Sequence, residues 1–312
     1  MKINRKEFIE KTIRTGLAAG TAIVIGDTEE LLALEKTFRQ KGRYGLVALK
    51  GSLPDKMFAR GIAAMGGMGR YVKPGQTVAV KPNIGWNAPP ERGANTNPLL
   101  IRAIVQECLR AGAKKVYVFD HTCDVWKSCY RNSGIESIVK SSGGIMVPAN
   151  SKGYYHEIKL PKGRSLTDAM VHEQVLESDV FINVPVLKHH SSTGLTIAMK
   201  NLMGVVWSRR WWHVKDLHQC IADFSTYRKP DLTVVDAYHV MKVNGPRGVS
   251  VSDVVTMKAQ LISEDPVTAD AAAAKLFGRE PSGVRYIKLA HQMGVGTMNL
   301  SRPTIKRIKM RG

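Results

Sequence analysis

Residues 78–120 read VAVKPNIGWNAPPERGANTNPLLIRAIVQECLRAGAKKVYVFD, and their pattern predicts a strand, a loop, a helix and a second strand. Val78–Lys81 is a short apolar run suited to a strand buried on both faces. Residues 84–98, IGWNAPPERGANTNP, form a long Gly-, Pro- and Asn-rich connection. Asn95-Thr96-Asn97-Pro98 then marks a helix start, with a capping side chain before a proline at the first helical position. Gly112 marks the helix end, and Val116–Asp120 reads as the next strand. A strand, a crossover helix and a strand in that order make a parallel pair.

The same alternation continues in both directions. Further strands are expected at Leu46–Lys50, Val180–Val184, Leu232–Asp236 and Ala259–Ser263. Helices are expected near 55–68, 194–203, 214–227 and 266–277. Asp265-Pro266 and Gly278 bracket the last of these as Asn97-Pro98 and Gly112 bracket the first. The chain therefore reads as an α/β protein, a mostly parallel sheet with helices on both faces. Residues 149–175 have weak periodicity and read as an insertion with a hairpin. The tail SRPTIKRIKMRG, residues 301–312, reads as a basic, frayed end.

Composition sets outer limits. With 312 residues and 44% apolar content, the chain can bury a sizeable core. No run of about 18 apolar residues occurs, which argues against an ordinary spanning helix. The N-terminus, MKINRKEFIEKTIRTGLAAGTAIVIG, joins a basic start to a modest apolar run. Asn4-Arg5-Lys6-Glu7-Phe8-Ile9 looks like a twin-arginine signal whose second arginine is lysine. Residues 1–26 are thus expected to be an export signal, 27–45 a linker and 46–300 a single α/β domain. Export would place the protein in the periplasm, or on the membrane through an uncleaved signal. An ordinary amphipathic helix, leaving the protein in the cytoplasm, is the other reading of this stretch. The net charge is +20. Without residues 1–26 the chain keeps 41 basic and 24 acidic residues, so the basic character belongs to the body. Such a field attracts anionic small molecules, anionic lipid or nucleic acid, and export weighs against nucleic acid.

In parallel sheets ligands collect beyond the carboxyl ends of the strands. Lys81-Pro82-Asn83, Asp120-His121-Thr122-Cys123, Lys188-His189-His190 and Asp236-Ala237-Tyr238-His239 all follow or close expected strands. Lys188-His189-His190 suits an anion site with metal-ligating or proton-moving histidines, or else a solvated basic loop. Lys200-Asn201 sits in the apolar run GLTIAMKNLMGVVW, where a charge needs a partner. A bound anion and an aspartate such as Asp236 serve equally. Lys81, Asn83, Lys188, Lys200, Asn201 and Arg247 are therefore the candidate ligand-binding residues. His189, His190 and Asp236 are the candidate catalytic ones, with His213 beside them and Asp120 to orient.

The four cysteines, Cys108, Cys123, Cys129 and Cys220, are too few to staple a domain of this size. Cys108 and Cys220 read as small buried hydrophobes. Asp120, His121, Cys123 and Cys129 form a candidate metal or iron–sulfur fragment. Its cysteines equally suit a disulfide or two ordinary thiols, and they lack the paired spacing of ferredoxin or zinc motifs. The basic–aromatic run Ser208-Arg209-Arg210-Trp211-Trp212-His213 suits a planar ligand, a membrane interface or a packed loop. No phosphate-binding loop, dinucleotide fingerprint, HExxH or GxSxG occurs.

VAVKPN, NPLLIRAIVQECLRAGAKKVYVFDH, VFINVPVLKHHSSTGLTIAMKNLMGVV, KPDLTVVDAYHVMKVNGPRG and LISEDPVTADAAAAKLFG occur in that order over residues 46–297. Together they resemble the bacterial and archaeal family called domain of unknown function 362. The resemblance implies an α/β fold and picks out Lys81, Asn83, Asp120, Lys188, His189, Lys200, Asn201, Gly204, Asp236 and Gly245. Many family members are labelled iron–sulfur proteins through an appended ferredoxin-like segment, which this sequence lacks. The expected function is an exported protein with a strand-end site for an anion and a possible metal, a redox enzyme or cofactor binder. The competing expectation is a binding module that uses its basic surface on anionic lipid or nucleic acid.

Overall fold

The computed structural model describes residues 44–311. The expected signal and nearly all of the expected linker lie outside the described residues. The elements run β1 (Leu46–Lys50), α1 (Pro54–Ala64), β2 (Thr77–Pro82), α2 (Pro98–Arg110) and β3 (Lys115–Val118). Then follow α3 (Trp126–Asn132), α4 (Ile135–Ser141), β4 (Ile145–Met146), β5 (Tyr155–Lys159), β6 (Asp168–His172) and α5 (Glu173–Glu177). Next come β7 (Val180–Val184), β8 (Val186–His190), β9 (Gly194–Thr196), α6 (Ala198–Asn201), α7 (Arg210–Val214) and α8 (Leu217–Phe224). The rest are β10 (Leu232–Met241), β11 (Val254–Ser263), α9 (Pro266–Phe277), α10 (Arg285–Gln292) and β12 (Ile305–Lys309).

The central sheet runs β12-β1-β11-β10-β7-β2-β3-β4, with β8 beside β10 and β9 beside β8. It is mostly parallel: β11 is antiparallel to β1 and β10, and β9 is antiparallel to β8. Alternation along the strands sends side chains to opposite faces. Val78 and Val80 of β2 and Ile182 of β7 join a core with Phe58 of α1 and Ile104 of α2. Ala79 and Phe181 join the opposite core, under α8, α9 and α10. Full burial of a side chain such as Phe58 or Ile104 contributes roughly 1.5–3 kcal/mol.

The helix signals act as their chemistry requires. Asn97 accepts the Leu99 N–H at the start of α2. Asp265 accepts the N–H groups of Val267 and Thr268 at the start of α9. Gly112 and Gly278 take positive φ of 94° past the two helix ends, where a Cβ would be strained. Residues 149–175 contain the expected hairpin, β5 paired antiparallel with β6. Cys108 and Cys220 are buried in α2 and α8.

Three expectations need correction. Lys188-His189-His190 is not a loop; it is the second half of β8, held between β10 and β9. Residues 194–203 are not one helix. Gly194–Thr196 pairs as β9, and α6 starts only where Asp270 of α9 accepts the Ala198 and Met199 N–H groups. The basic tail is not frayed, because Ile305–Lys309 adds to β1 as a parallel edge strand.

Candidate functional site

The register of β2 against β7 places Lys81 opposite Asn183. Both sit in the phase of Ala79 and Phe181, so both face the α6 side. There Asn201 ties them together: Lys81 Nζ donates to Asn201 Oδ1 at 2.8 Å, and Asn201 Nδ2 donates to Asn183 Oδ1 at 2.8 Å. Asn83 Nδ2 donates to the same Asn201 Oδ1 at 3.0 Å. Asp120, just past β3, lies 2.9 Å from Lys81 Nζ, and both side chains are almost fully buried. Asp120 Oδ2 also accepts the Ile84 N–H at 2.6 Å, while Oδ1 has no well-directed donor beyond this ion contact. Burial pulls the Lys81 pKa down, opposed by the Asp120 charge.

Gly204 closes the pair from above. A Cβ at this position would stand 1.9 Å from Asp120 Oδ1 and 2.5 Å from Lys81 Nζ, so only glycine fits.

Beyond this cluster opens a cavity of about 310 Å³ at the carboxyl ends of β2, β3 and β8. Lys81, Lys188, Lys200 and Arg209 line it with a single carboxylate, Asp120. Lys188 is 1% exposed; it donates to the Ala94 carbonyl and, at 3.3 Å, to Asn83 Oδ1, and has no acidic partner among the described residues. Burial brings its pKa down to about 7, with the nearby Lys200 charge adding to the fall. Among the described residues the Lys200 Nζ hydrogen-bonds only to Met203 Sδ, at 3.7 Å. Burial, then the charges of Arg209 and Lys81, bring its pKa down to about 8. Arg209 reaches back to the β3 end, donating to the His121 carbonyl, to the Thr122 carbonyl at 2.7 Å and to Cys123 Sγ at 3.4 Å.

Three histidines share the cavity. His190 Nδ1 accepts the Ser192 N–H, and burial together with Lys200 and Lys188 pushes its pKa down to about 2. His213 is also pushed down, by burial and then by Lys200 and Arg209. His121 stacks on Trp207 at 5.0 Å, with Nδ1 3.0 Å from the Val206 carbonyl. Thr196, 4% exposed, is the β9 partner of Lys188, and its hydroxyl has no hydrogen-bond partner among the described residues.

The structure thus gathers Lys81, Asn83, Asp120, His121, Cys123, Lys188, His190, Lys200, Asn201 and His213 around one space. Four other candidates lie outside it. His189 points to the other face of β8, where Nδ1 accepts the Gly245 N–H at 3.1 Å. Asp236 accepts the N–H groups of Asn97 and Tyr238, at 2.7 and 3.0 Å, so it anchors the α2 entry and does not pair with Lys200. Burial pushes its pKa up to about 6. Arg247 does not reach the cavity. Cys129 is buried in α3 beneath Gly85, its thiol pushed up to about 11 by burial.

The expected metal set is not assembled. Asp120 is taken by Lys81 and Ile84, Cys123 and Cys129 are unbridged thiols, and His121 is held by Val206. Among the described residues no three His, Cys, Asp or Glu side chains group as a metal site. Sequence reasoning missed Arg209 and Thr196 as walls. The basic–aromatic run was visible, but its folding back onto the β3 end depends on contacts almost ninety residues apart in sequence.

The chain is similar to a thylakoid-associated protein of Synechocystis, 25% identical over 245 residues, covering 74% of this chain and 72% of that protein. It is also similar to the lactate racemase apoprotein structure from Thermoanaerobacterium thermosaccharolyticum, at 11% identity and a TM-score of 0.41. That likeness covers 76% of this chain and spans 58% of the length of the racemase chain. Residues 78–275, which contain every residue of the cavity, match the family described as "Domain of unknown function (DUF362)", and the chain belongs to that family.

Proposed function

We propose that this protein binds a small organic anion, a carboxylate or phosphate compound, in the strand-end cavity. The observation that carries this is the pair Lys188, buried, and Lys200, half-buried, two amines on one cavity with no carboxylate paired to either among the described residues. An unpaired buried charge is costly, and an anion removes that cost by bringing its own charge. The unsatisfied Thr196 hydroxyl supplies a further donor. His213 lines the same cavity and can accept or return a proton, whereas His190, with Nδ1 taken by the Ser192 N–H, can only donate from Nε2.

The test is titration calorimetry with inorganic phosphate, pyruvate and propanoate. Lys200→Met should keep the fold and weaken binding about 10- to 150-fold, the loss of one charge-assisted contact of roughly 1.5–3 kcal/mol. If Lys200→Met only unfolds the protein, or leaves binding unchanged, the lysine is not a ligand for the anion. Export through the twin-arginine machinery belongs to the same proposal, on the strength of Arg5-Lys6 and the apolar run after it. Periplasmic recovery that vanishes on Arg5→Ala is the expected result.

A further inference from the structure

The four cations around the cavity are not equivalent. Lys81 is engaged by Asp120 and Asn201. Arg209 is spread over two backbone carbonyls and the Cys123 sulfur. Lys188 is fixed by the Ala94 carbonyl and Asn83. Lys200 has no oxygen acceptor among the described residues, and its only polar contact is a thioether sulfur at 3.7 Å. Its amine is the one member of the set that can move without breaking a bond to oxygen.

We infer that Lys200 is a covalent nucleophile that forms an imine with a carbonyl carbon of the bound anion, so the ligand class is an oxo acid. The inference rests on the anion site proposed above and adds the bond.

Three features favour it. First, Lys200 is half-buried, beside apolar Met203 and on one cavity with three other cations, which is how amine nucleophiles are activated. Its pKa, brought down to about 8, leaves more of the amine free near neutral pH than an ordinary lysine has. Second, the carboxylate of an oxo acid has its own seat. Lys188 and Thr196 are cross-strand partners, and between them they offer an ammonium without an acid and a hydroxyl without an acceptor. Third, proton carriers stand close to the reacting nitrogen. His190 and His213 line the same cavity as Lys200, and its charge lowers the pKa of both.

The step balances without any further reactant. The nitrogen lone pair adds to the carbonyl carbon, and the π pair moves to oxygen. His213 takes the first nitrogen proton and passes it to that oxygen, which gives the neutral carbinolamine. The nitrogen lone pair then forms the C=N bond as the C–O bond breaks, and the departing hydroxide takes the second nitrogen proton and leaves as water. One amine and one carbonyl give one imine and one water, and nothing is oxidised or reduced.

The experiment incubates the whole protein with glyoxylate, pyruvate or 2-oxoglutarate, then reduces any imine with sodium cyanoborohydride. Intact mass and peptide mapping locate the adduct, and calorimetry with propanoate reports anion binding without a carbonyl. The expected result is a single adduct on Lys200, absent in Lys200→Met. Lys200→Arg keeps the charge but has no nucleophilic amine, so it should lose the adduct. Propanoate binding with no adduct from any oxo acid overturns the imine and leaves the anion site standing. An adduct that persists in Lys200→Arg, or is spread over surface lysines, overturns the assignment to Lys200. Absence of both binding and adduct overturns both readings.

Discussion

Lys81 and Asp120 show how a single residue's surroundings decide its role. The pair is buried at 2.9 Å, and removing one partner strands the other charge. Asp120→Asn should therefore destabilise the protein by about 3–5 kcal/mol, read by urea unfolding. Gly204→Ala would drive a Cβ into the same pair and should cost on the order of 2 kcal/mol or more. Lys188 and Lys200 set a pH dependence of defined sign. An anion needs the protonated amines, so affinity should fall as pH rises through about 7 to 8, and binding should take up protons. Without ligand the sign reverses. Between these values and 10.5 the unfolded chain holds protons that the folded chain has released, so these lysines make stability rise with pH there. Lys200→Met should flatten that slope, and unaltered pH–stability curves would count against a depressed lysine. Much of the site was legible at this scale, because charges inside apolar runs are conspicuous: Lys81, Lys188, Lys200 and Asn201 stood out that way. The facing of side chains was not. His189 and His190 look alike in a loop, yet in a strand they take opposite faces, and only His190 shares the face of Lys188.

A helix of four residues such as α6 does not stand alone, because too few hydrogen bonds repay its ordering. It is held by Asp270, whose carboxylate accepts the Ala198 and Met199 N–H groups at 2.5 and 3.1 Å. Asp270→Ala leaves two buried N–H groups unmet and should cost about 2–4 kcal/mol. It should also weaken anion binding, since Lys200 rides on α6; calorimetry and urea unfolding on one preparation would check both. Elements with local signals were legible in sequence: α2 and α9 each have a cap, a proline and a terminal glycine. Elements made by distant neighbours were not. The residues of β12, IKRIK, carry two isoleucines among three cations and read as a solvated end until the edge of β1 is offered to them. The outer part of β11, Val254–Lys258, lacks a buried run and is strand because β10 continues beside it.

Across the whole molecule, a net charge of +20 acts at longer range than any one contact. Such a field raises the encounter rate with anions and is screened by salt. Association of a cavity-bound anion should slow about tenfold between low and physiological ionic strength, while its dissociation changes little. Stopped-flow kinetics would separate the two. A surface that binds lipid or nucleic acid would lose affinity steeply with salt and would be indifferent to Lys200→Met. The placing of β1 has a further meaning, one of timing. Its neighbours in the sheet come from residues 259–263 and 305–309. On the ribosome β1 leaves the exit tunnel roughly 200 residues before either neighbour exists, a very long loop to close. The parallel strands β2, β3, β4 and β7 can meet while translation continues, but the β1 edge cannot. Assembly of the described sheet therefore waits for β12, which seals the edge that β1 opens.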